Sequence, residues 1–225
     1  MLIQLACAAE LTPYDALLLA SYEGEGQDLT GNRVWLGGLV LQNYIHHHRQ
    51  LFAGKRVAEL GSGCGLCGIL ASSSGMASAM VITDGDSGCV DLISSNIERN
   101  AEIITTSECL ALQHLWGRES AQALLHSETI GGNEFDVVMA SDVIYSIDVL
   151  RPLMESAAEL VAAHGVFILS NVPRCEHADM DALICKAAAA AGFRRQQVVP
   201  LGGFMAGAVH CEAAGCGASL FELRR

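Results

Sequence analysis

The sequence predicts an α/β fold: a doubly wound, mostly parallel seven-stranded sheet that ends in a C-terminal antiparallel hairpin. Three observations predict it. Short apolar runs alternate with helical segments from Arg56 onward, the pattern of crossover units whose strands are covered on both faces. A glycine-rich turn, Gly61-Ser62-Gly63-Cys64-Gly65, follows the first of those runs, where such sheets place a ligand loop. Hydrophobic residues make up 51% of the 225 and charged residues only 17%, a composition that supports one large core and excludes intrinsic disorder.

The elements follow in order. A helix is expected around Tyr14 to Ala20, then a polar loop from Glu23 to Asn32, because glycine and polar residues cluster there. Leu36, Leu39, Val40, Tyr44 and Ile45 fall at helical spacing within Val34 to His48. Arg56 to Leu60 is the first strand, Gly65 to Ser73 a helix and Ala79 to Thr83 the second strand. Ser87 to Asn100 places Val90, Ile93, Ser94 and Ile97 on one helical face. Glu108 to Gln113 is the third strand, Ser120 to His126 a short helix and Phe135 to Ala140 the fourth strand. A helix from Val149 to Ala163, a strand from Gly165 to Ser170 and an alanine-rich helix from Met180 to Ala191 come next. Val198-Val199 and the stretch Val209 to Glu222 supply the last two strands.

Charge and cysteine usage narrow the class. The net charge of −12 disfavours nucleic acid as a partner. No apolar stretch approaches the length of a spanning helix, and the start lacks the basic region of a secretory signal. Nine cysteines, an odd number and mostly within apolar runs, read as buried thiols of a reducing compartment. A soluble cytoplasmic protein without a membrane partner is expected. His46 to His48 close a helix, where imidazoles suit the negative end of the dipole, so they are expected on the surface.

In open parallel sheets the ligand lies beyond the carboxyl ends of the strands. Gly61 and Gly63 would let a ligand approach bare backbone there. Asp84 ends the second strand, at the distance from the glycines where an acidic residue accepts both hydroxyls of a ribose. Asp86 is better placed to cap the next helix, which frees Asp84. Asp142 follows the fourth strand directly and projects into the same cleft, since an unpaired charge is expensive in a core.

Glu59-Leu-Gly-Ser-Gly-Cys-Gly-Leu, Thr83-Asp84 leading to Asn96-Ile-Glu-Arg-Asn100, Leu115-Trp116-Gly117 and Ser141-Asp142-Val143-Ile144-Tyr145 occur in that order. With Val34-Trp35 before them, they resemble the AdoMet-dependent protein-lysine methyltransferases of methyltransferase family 16. The resemblance spans roughly residues 30 to 172 and leaves Pro173 to Arg225 unmatched. It implies a Rossmann-like class I methyltransferase domain over residues 1–225, with 1–50 as an extension that caps the cofactor cleft. It implies S-adenosyl-L-methionine as cofactor, contacted by Trp35, Gly61, Ser62, Gly63, Asp84, Trp116 and Ser141. By the same resemblance Asp84 holds the ribose, Trp116 lies near the adenine and Glu59 helps to accommodate the methionine ammonium. Asp142 and Tyr145 stand beside the methyl group and the acceptor. The implied substrate is a lysine of a non-histone protein, and the implied state a monomer.

Two other functions compete. Gly63 to Gly68 satisfies the dinucleotide pattern of a NAD-dependent oxidoreductase, but the pattern starts two residues after Gly61 and leaves Asp142 without a role. A non-catalytic AdoMet-binding scaffold would be expected to have lost Asp84 or Asp142, and both are present. Cys64 and Cys67 have redox spacing, and with Cys211 and Cys216 would outline a zinc site. The order of elements does not bring the two pairs together, so no metal is expected.

Overall fold

The computed structural model describes residues 30–73, 75–173, 179–205 and 207–225. The expected helix at Tyr14 to Ala20 lies outside them, as do Cys7 and Cys175. A single sheet of seven strands runs in the order β3-β2-β1-β4-β5-β7-β6. The strands are β1 (Arg56–Leu60), β2 (Ala79–Asp84), β3 (Glu108–Gln113), β4 (Phe135–Ser141), β5 (Val161–Asn171), β6 (Arg195–Val198) and β7 (Ser219–Arg224). The first five pair in parallel, while β7 is antiparallel to both β5 and β6.

Alternation along the buried strands feeds two cores. Ala58, Leu60, Val138, Ala140, Phe167 and Leu169 face one side, where Ala121, Leu153, Met154, Ala157 and Ile184 cover them. Those covering residues come from α5 (Arg118–Leu125), α6 (Leu150–Leu160) and α7 (Met180–Ala190). Val57, Val137, Met139, Val166 and Ile168 face the other side, beneath Val40, Leu41, Tyr44, Ile69 and Ala213. They belong to α1 (Leu36–His47), α3 (Leu66–Ala71) and α8 (Gly207–Gly215), while α2 (Arg49–Phe52) is a single turn. Burial on both faces is why the strands read as unbroken apolar runs. The chain steps outward from β1 through β2 and returns to β4 on its other side. This switch point places the ends of β1 and β4 side by side, the crevice where open sheets bind ligands.

Two boundaries differ from those expected. The helix before β5 stops at Leu160, and Val161 pairs with Phe135 as the start of a longer strand. Residues Ala162 to His164 have helical composition, but the buried Val161 takes extended backbone against β4, so pairing overrides propensity. The ladder resumes at Val166, opposite Val137, just after Gly165, where a Cβ would sit 2.7 Å from the Asp136 carbonyl oxygen. The stretch Val209 to Glu222 is not one strand. Its first part is α8, which buries Ala213, and β7 starts after Gly217 turns the chain at φ +68°. The final antiparallel pair is present, yet a helix rather than a tight turn joins it.

The cysteines also divide. Cys64, Cys67 and Cys89 are buried as expected, whereas Cys211 and Cys216 are exposed, because α8 lies at the surface. His46 and His47 are exposed, and half-buried His48 stacks on Tyr44 at 4.1 Å. No helix among the described residues is long and apolar enough to cross a membrane.

Candidate active site

The loop after β1 is built around one buried carboxylate. Glu59, 1% exposed, accepts hydrogen bonds from Ser62 Oγ and from the Gly68 backbone N–H through Oε2, each 2.8 Å long. Burial pushes its carboxyl up to about 7, offset in part by those two donors. A Cβ at Gly68 would lie 2.8 Å from Oε2 and 2.6 Å from the Ile82 side chain, so only glycine lets α3 approach. The Ser62 N–H donates to the Thr83 carbonyl and the Thr83 hydroxyl to the Glu59 carbonyl, which locks the loop to β2. The carboxylate expected to accommodate the methionine ammonium therefore lies beneath the loop, as its strut.

Above the strut, Gly61 and Gly63 take φ +68° and +59°, values in the left-handed region that suits glycine. Asp84 accepts the Gly63 N–H at 2.8 Å on one oxygen and the Asp86 N–H at 3.0 Å on the other. Asp86 caps helix α4 (Ser87–Arg99) through the Cys89 N–H at 2.9 Å, as expected. An ionised carboxylate has about four acceptor positions, so Asp84 keeps capacity for a diol. Trp116 closes the loop from the side: a Cβ on Gly61 would meet its Cζ2 and the Val143 Cγ1, both at 2.8 Å. The indole Nε1 is buried and has no hydrogen-bond partner among the described residues.

Asp142 sits at the end of β4 and is the one non-glycine residue with positive φ, +54°, among the described residues. For an L-residue that conformation costs roughly 1–2 kcal/mol. The return is a three-way joint. Oδ2 accepts the Gly37 N–H at 2.6 Å in the first turn of α1, Oδ1 accepts the Val172 N–H at 2.8 Å, and its own N–H donates to the Ser170 carbonyl. A Cβ at Gly37 would lie 2.5 Å from the carboxylate, so glycine is required there. Asp142 is 8% exposed, whereas Tyr145 is 64% exposed at the rim. Ser141 ends β4 half-buried and on the α1 side, 3.7 Å from where a Cβ on Gly38 would be.

Trp35 immediately precedes α1 and donates from Nε1 to the Thr30 carbonyl at 3.0 Å, with the Arg33 guanidinium 4.5 Å above its ring. This folds the short turn Thr30–Asn32 onto the glycine loop. A Cβ on Gly63 would lie 2.6 Å from the Gly31 carbonyl oxygen, and one on Gly31 would strike the Cys89 sulfur.

The structure thus joins Glu59 to Ser62, Gly63 to Asp84 and Gly61 to Trp116, and it anchors Asp142 beside the helix that Trp35 precedes. Tyr145 is exposed beyond the end of β4. Gly31 and Gly37 were not singled out from the sequence, since the close approaches that require them come from distant segments. Cys64 and Cys67 are buried by the loop, far in character from the exposed Cys211 and Cys216. Among the described residues no group of three or more His, Cys, Asp or Glu is arranged to hold a metal.

Comparison with known proteins agrees with this geometry. The family model described as "Lysine methyltransferase" matches residues 15–182. The protein N-terminal and lysine N-methyltransferase EFM7 of Yarrowia lipolytica is 29% identical over 77% of this chain and 68% of its own length. The calmodulin-lysine N-methyltransferase of Arabidopsis thaliana is 31% identical over 57% of the chain and 40% of its own length. The EEF1A lysine methyltransferase 3 of Mus musculus is 30% identical over 64% of the chain, which spans 57% of that relative. Among solved structures, a TehB-like SAM-dependent methyltransferase from Corynebacterium glutamicum superposes with a TM-score of 0.55 at 12% identity, covering 94% of this chain and 95% of the other; that likeness concerns the fold. With three quarters of its length matched by the family model, the chain belongs to the lysine methyltransferase family.

Proposed function

We propose that the chain is an AdoMet-dependent protein N-methyltransferase that acts on a lysine amine of a non-histone protein. The observation that carries this reading is the joint closure of Gly61 and Gly63 by Trp116 and Asp84 at the switch point. A buried indole N–H without a partner among the described residues and a carboxylate with spare acceptor capacity fit an adenosyl group with its ribose diol. Bound AdoMet would supply an electrophilic methyl group on a cationic sulfur. The chain's own task is then to position the acceptor amine in line and to keep water out. A lysine must first lose its proton, and desolvation beside a positive charge favours that loss. Asp142, at the end of β4, would orient the amine, and the exposed Tyr145 offers its ring to the arriving side chain. The turn at Thr30–Asn32, packed on the glycine loop, supports residues 1–50 as a cap over the cleft. Buried thiols suit a reducing cytoplasm, where we expect a monomer.

Family membership disfavours the oxidoreductase. Gly68, the last glycine of the dinucleotide pattern, is spent on packing against Ile82 and Glu59. The test is incubation with isotope-labelled AdoMet and cell lysate, followed by mass spectrometry of labelled proteins. Label on a lysine supports the reading. Binding of NAD without binding of AdoMet in calorimetry, or label confined to small molecules, overturns it.

A further inference from the structure

The Trp116 indole Nε1 has no hydrogen-bond partner among the described residues, so no polar contact fixes the ring and its backbone helps to set where it lies. That backbone is gripped with unusual completeness. Gly117 takes φ 141° and ψ 157°, a region that essentially only glycine enters. Ser156, fully buried in the middle of α6, holds both sides of that residue: its Oγ accepts the Gly117 N–H at 2.8 Å and lies 3.3 Å from the Gly117 carbonyl. Ser156 Oγ is in turn 3.2 Å from Nε2 of His114, while His114 Nδ1 is 3.3 Å from Ser120 Oγ on α5. His114 itself extends the sheet through its N–H to the Asp84 carbonyl at 2.9 Å. A closed ring of contacts therefore runs from the end of β3 to α6, to Gly117, along α5 and back, with Leu115 and Trp116 on the segment between its two ends.

An imidazole that is 3% exposed is costly unless both nitrogens are matched. Burial holds His114 down at about 4, so at neutral pH one ring nitrogen donates and the other accepts, which suits two hydroxyls that can do either. Both helices also bury Ala121, Leu125, Leu153 and Ala157 in the core. The polar contacts converge on the peptide that follows Trp116.

We propose that His114 and Ser156 are positioning residues for the cofactor: they clamp the Trp116–Gly117 backbone so that the indole stays seated against Gly61. The cofactor half of this inference rests on the reading given under Proposed function. The clamp itself does not, because it is defined by where the indole sits.

The test uses the full chain labelled with 5-fluorotryptophan. The two tryptophans give two 19F resonances, assigned with Trp116→Phe, and Trp35 serves as the internal control. Ser156→Ala and His114→Phe should shift or broaden the Trp116 resonance and leave that of Trp35 in place. They should raise the Kd and KM for AdoMet about tenfold, the scale of one lost positioned contact, with kcat at saturating cofactor within about twofold. His114→Gln, which keeps a donor and an acceptor toward Ser156, should restore most of the affinity and the sharp resonance. Should Ser156→Ala not fold, Ser120→Ala loosens the clamp from its half-buried side and should move the same resonance. A Trp116 resonance unchanged in folded variants overturns the clamp. Equal movement of both resonances with unchanged AdoMet affinity also overturns it, because that is the mark of general destabilisation. Failure of the unmodified chain to bind AdoMet overturns the cofactor reading instead, and the Trp116 resonance then decides the clamp alone.

Discussion

At the scale of single residues, the charged side chains of this site hold the fold as well as facing the cleft. Asp142 shows it best. Its carboxylate takes the N–H of Gly37 and the N–H of Val172, two groups more than a hundred residues apart, and joins α1 to the ends of β4 and β5. Removal of the carboxylate would take this partner from the buried Gly37 N–H and the half-buried Val172 N–H, at about 1–3 kcal/mol each. Asp142→Ala should therefore lower the urea midpoint by an amount equivalent to about 2–6 kcal/mol, besides cutting methyl transfer by around two orders of magnitude. A stability loss below about 1 kcal/mol would show that α1 finds another anchor. Gly37→Ala tests the joint from its other side. A Cβ there would lie 2.5 Å from the carboxylate, and relieving that overlap should cost about 1–3 kcal/mol, also read in urea unfolding, with activity reduced because Asp142 must move.

Between elements, the decisive connection is that between β1, the glycine loop and β2. Asp84 bonds to Gly63 and to Asp86, so it fixes the loop and the start of α4 together. Asp84→Ala frees both N–H groups and leaves the ribose position without an acceptor, so AdoMet should bind about 1–3 kcal/mol more weakly. Calorimetry measures this directly, and affinity equal to the parent's would leave Asp84 as a loop anchor alone. The strands of this unit were readable in advance because β1, β2 and β4 are covered on both faces, so their buried residues stand consecutively in the sequence. Gly61, Gly63, Asp84 and Asp86 were readable for a related reason: turn chemistry and capping act over a few residues. Elements whose identity depends on partners were misread. Val161 joins a strand only because Phe135 is beside it, and Val209 to Gly215 is helical because Ala213 packs into the core. The joint at Gly37 and the clamp at Ser156 lie 105 and 39 residues from the groups they hold, beyond the reach of any local pattern.

For the whole molecule, two buried titrating groups, Glu59 beside the glycine loop and His114 after β3, give stability an unusual dependence on pH. His114 ordinarily titrates at 6.5, and burial lowers it to about 4 in the folded chain. Between those values the unfolded chain holds a proton that the folded chain lacks, so its contribution is complete above 6.5 and is lost as pH falls through 4. Glu59 ordinarily titrates at 4.5, and burial raises it to about 7. There the folded chain holds the extra proton, so its contribution is complete below 4.5 and is lost as pH rises through 7. Across the shared window from 4.5 to 6.5 the two slopes oppose each other, each roughly 1 kcal/mol per pH unit. The other carboxylates of this chain with net charge −12 add a background common to all variants, so the prediction concerns differences from the parent. Glu59→Gln removes the falling contribution, so its unfolding free energy relative to the parent should rise as pH goes from 4.5 to 7. His114→Gln removes the rising contribution, so its relative stability should fall as pH goes from 4 to 6.5. Urea unfolding of parent and variants at pH 4.5, 5.5, 6.5 and 7.5 tests both at once. Parallel pH profiles for the two variants would mean that neither group is held in the folded chain as its burial requires, while opposite slopes would establish that the strut of the glycine loop and the clamp of Trp116 pull the molecule's pH response in contrary directions.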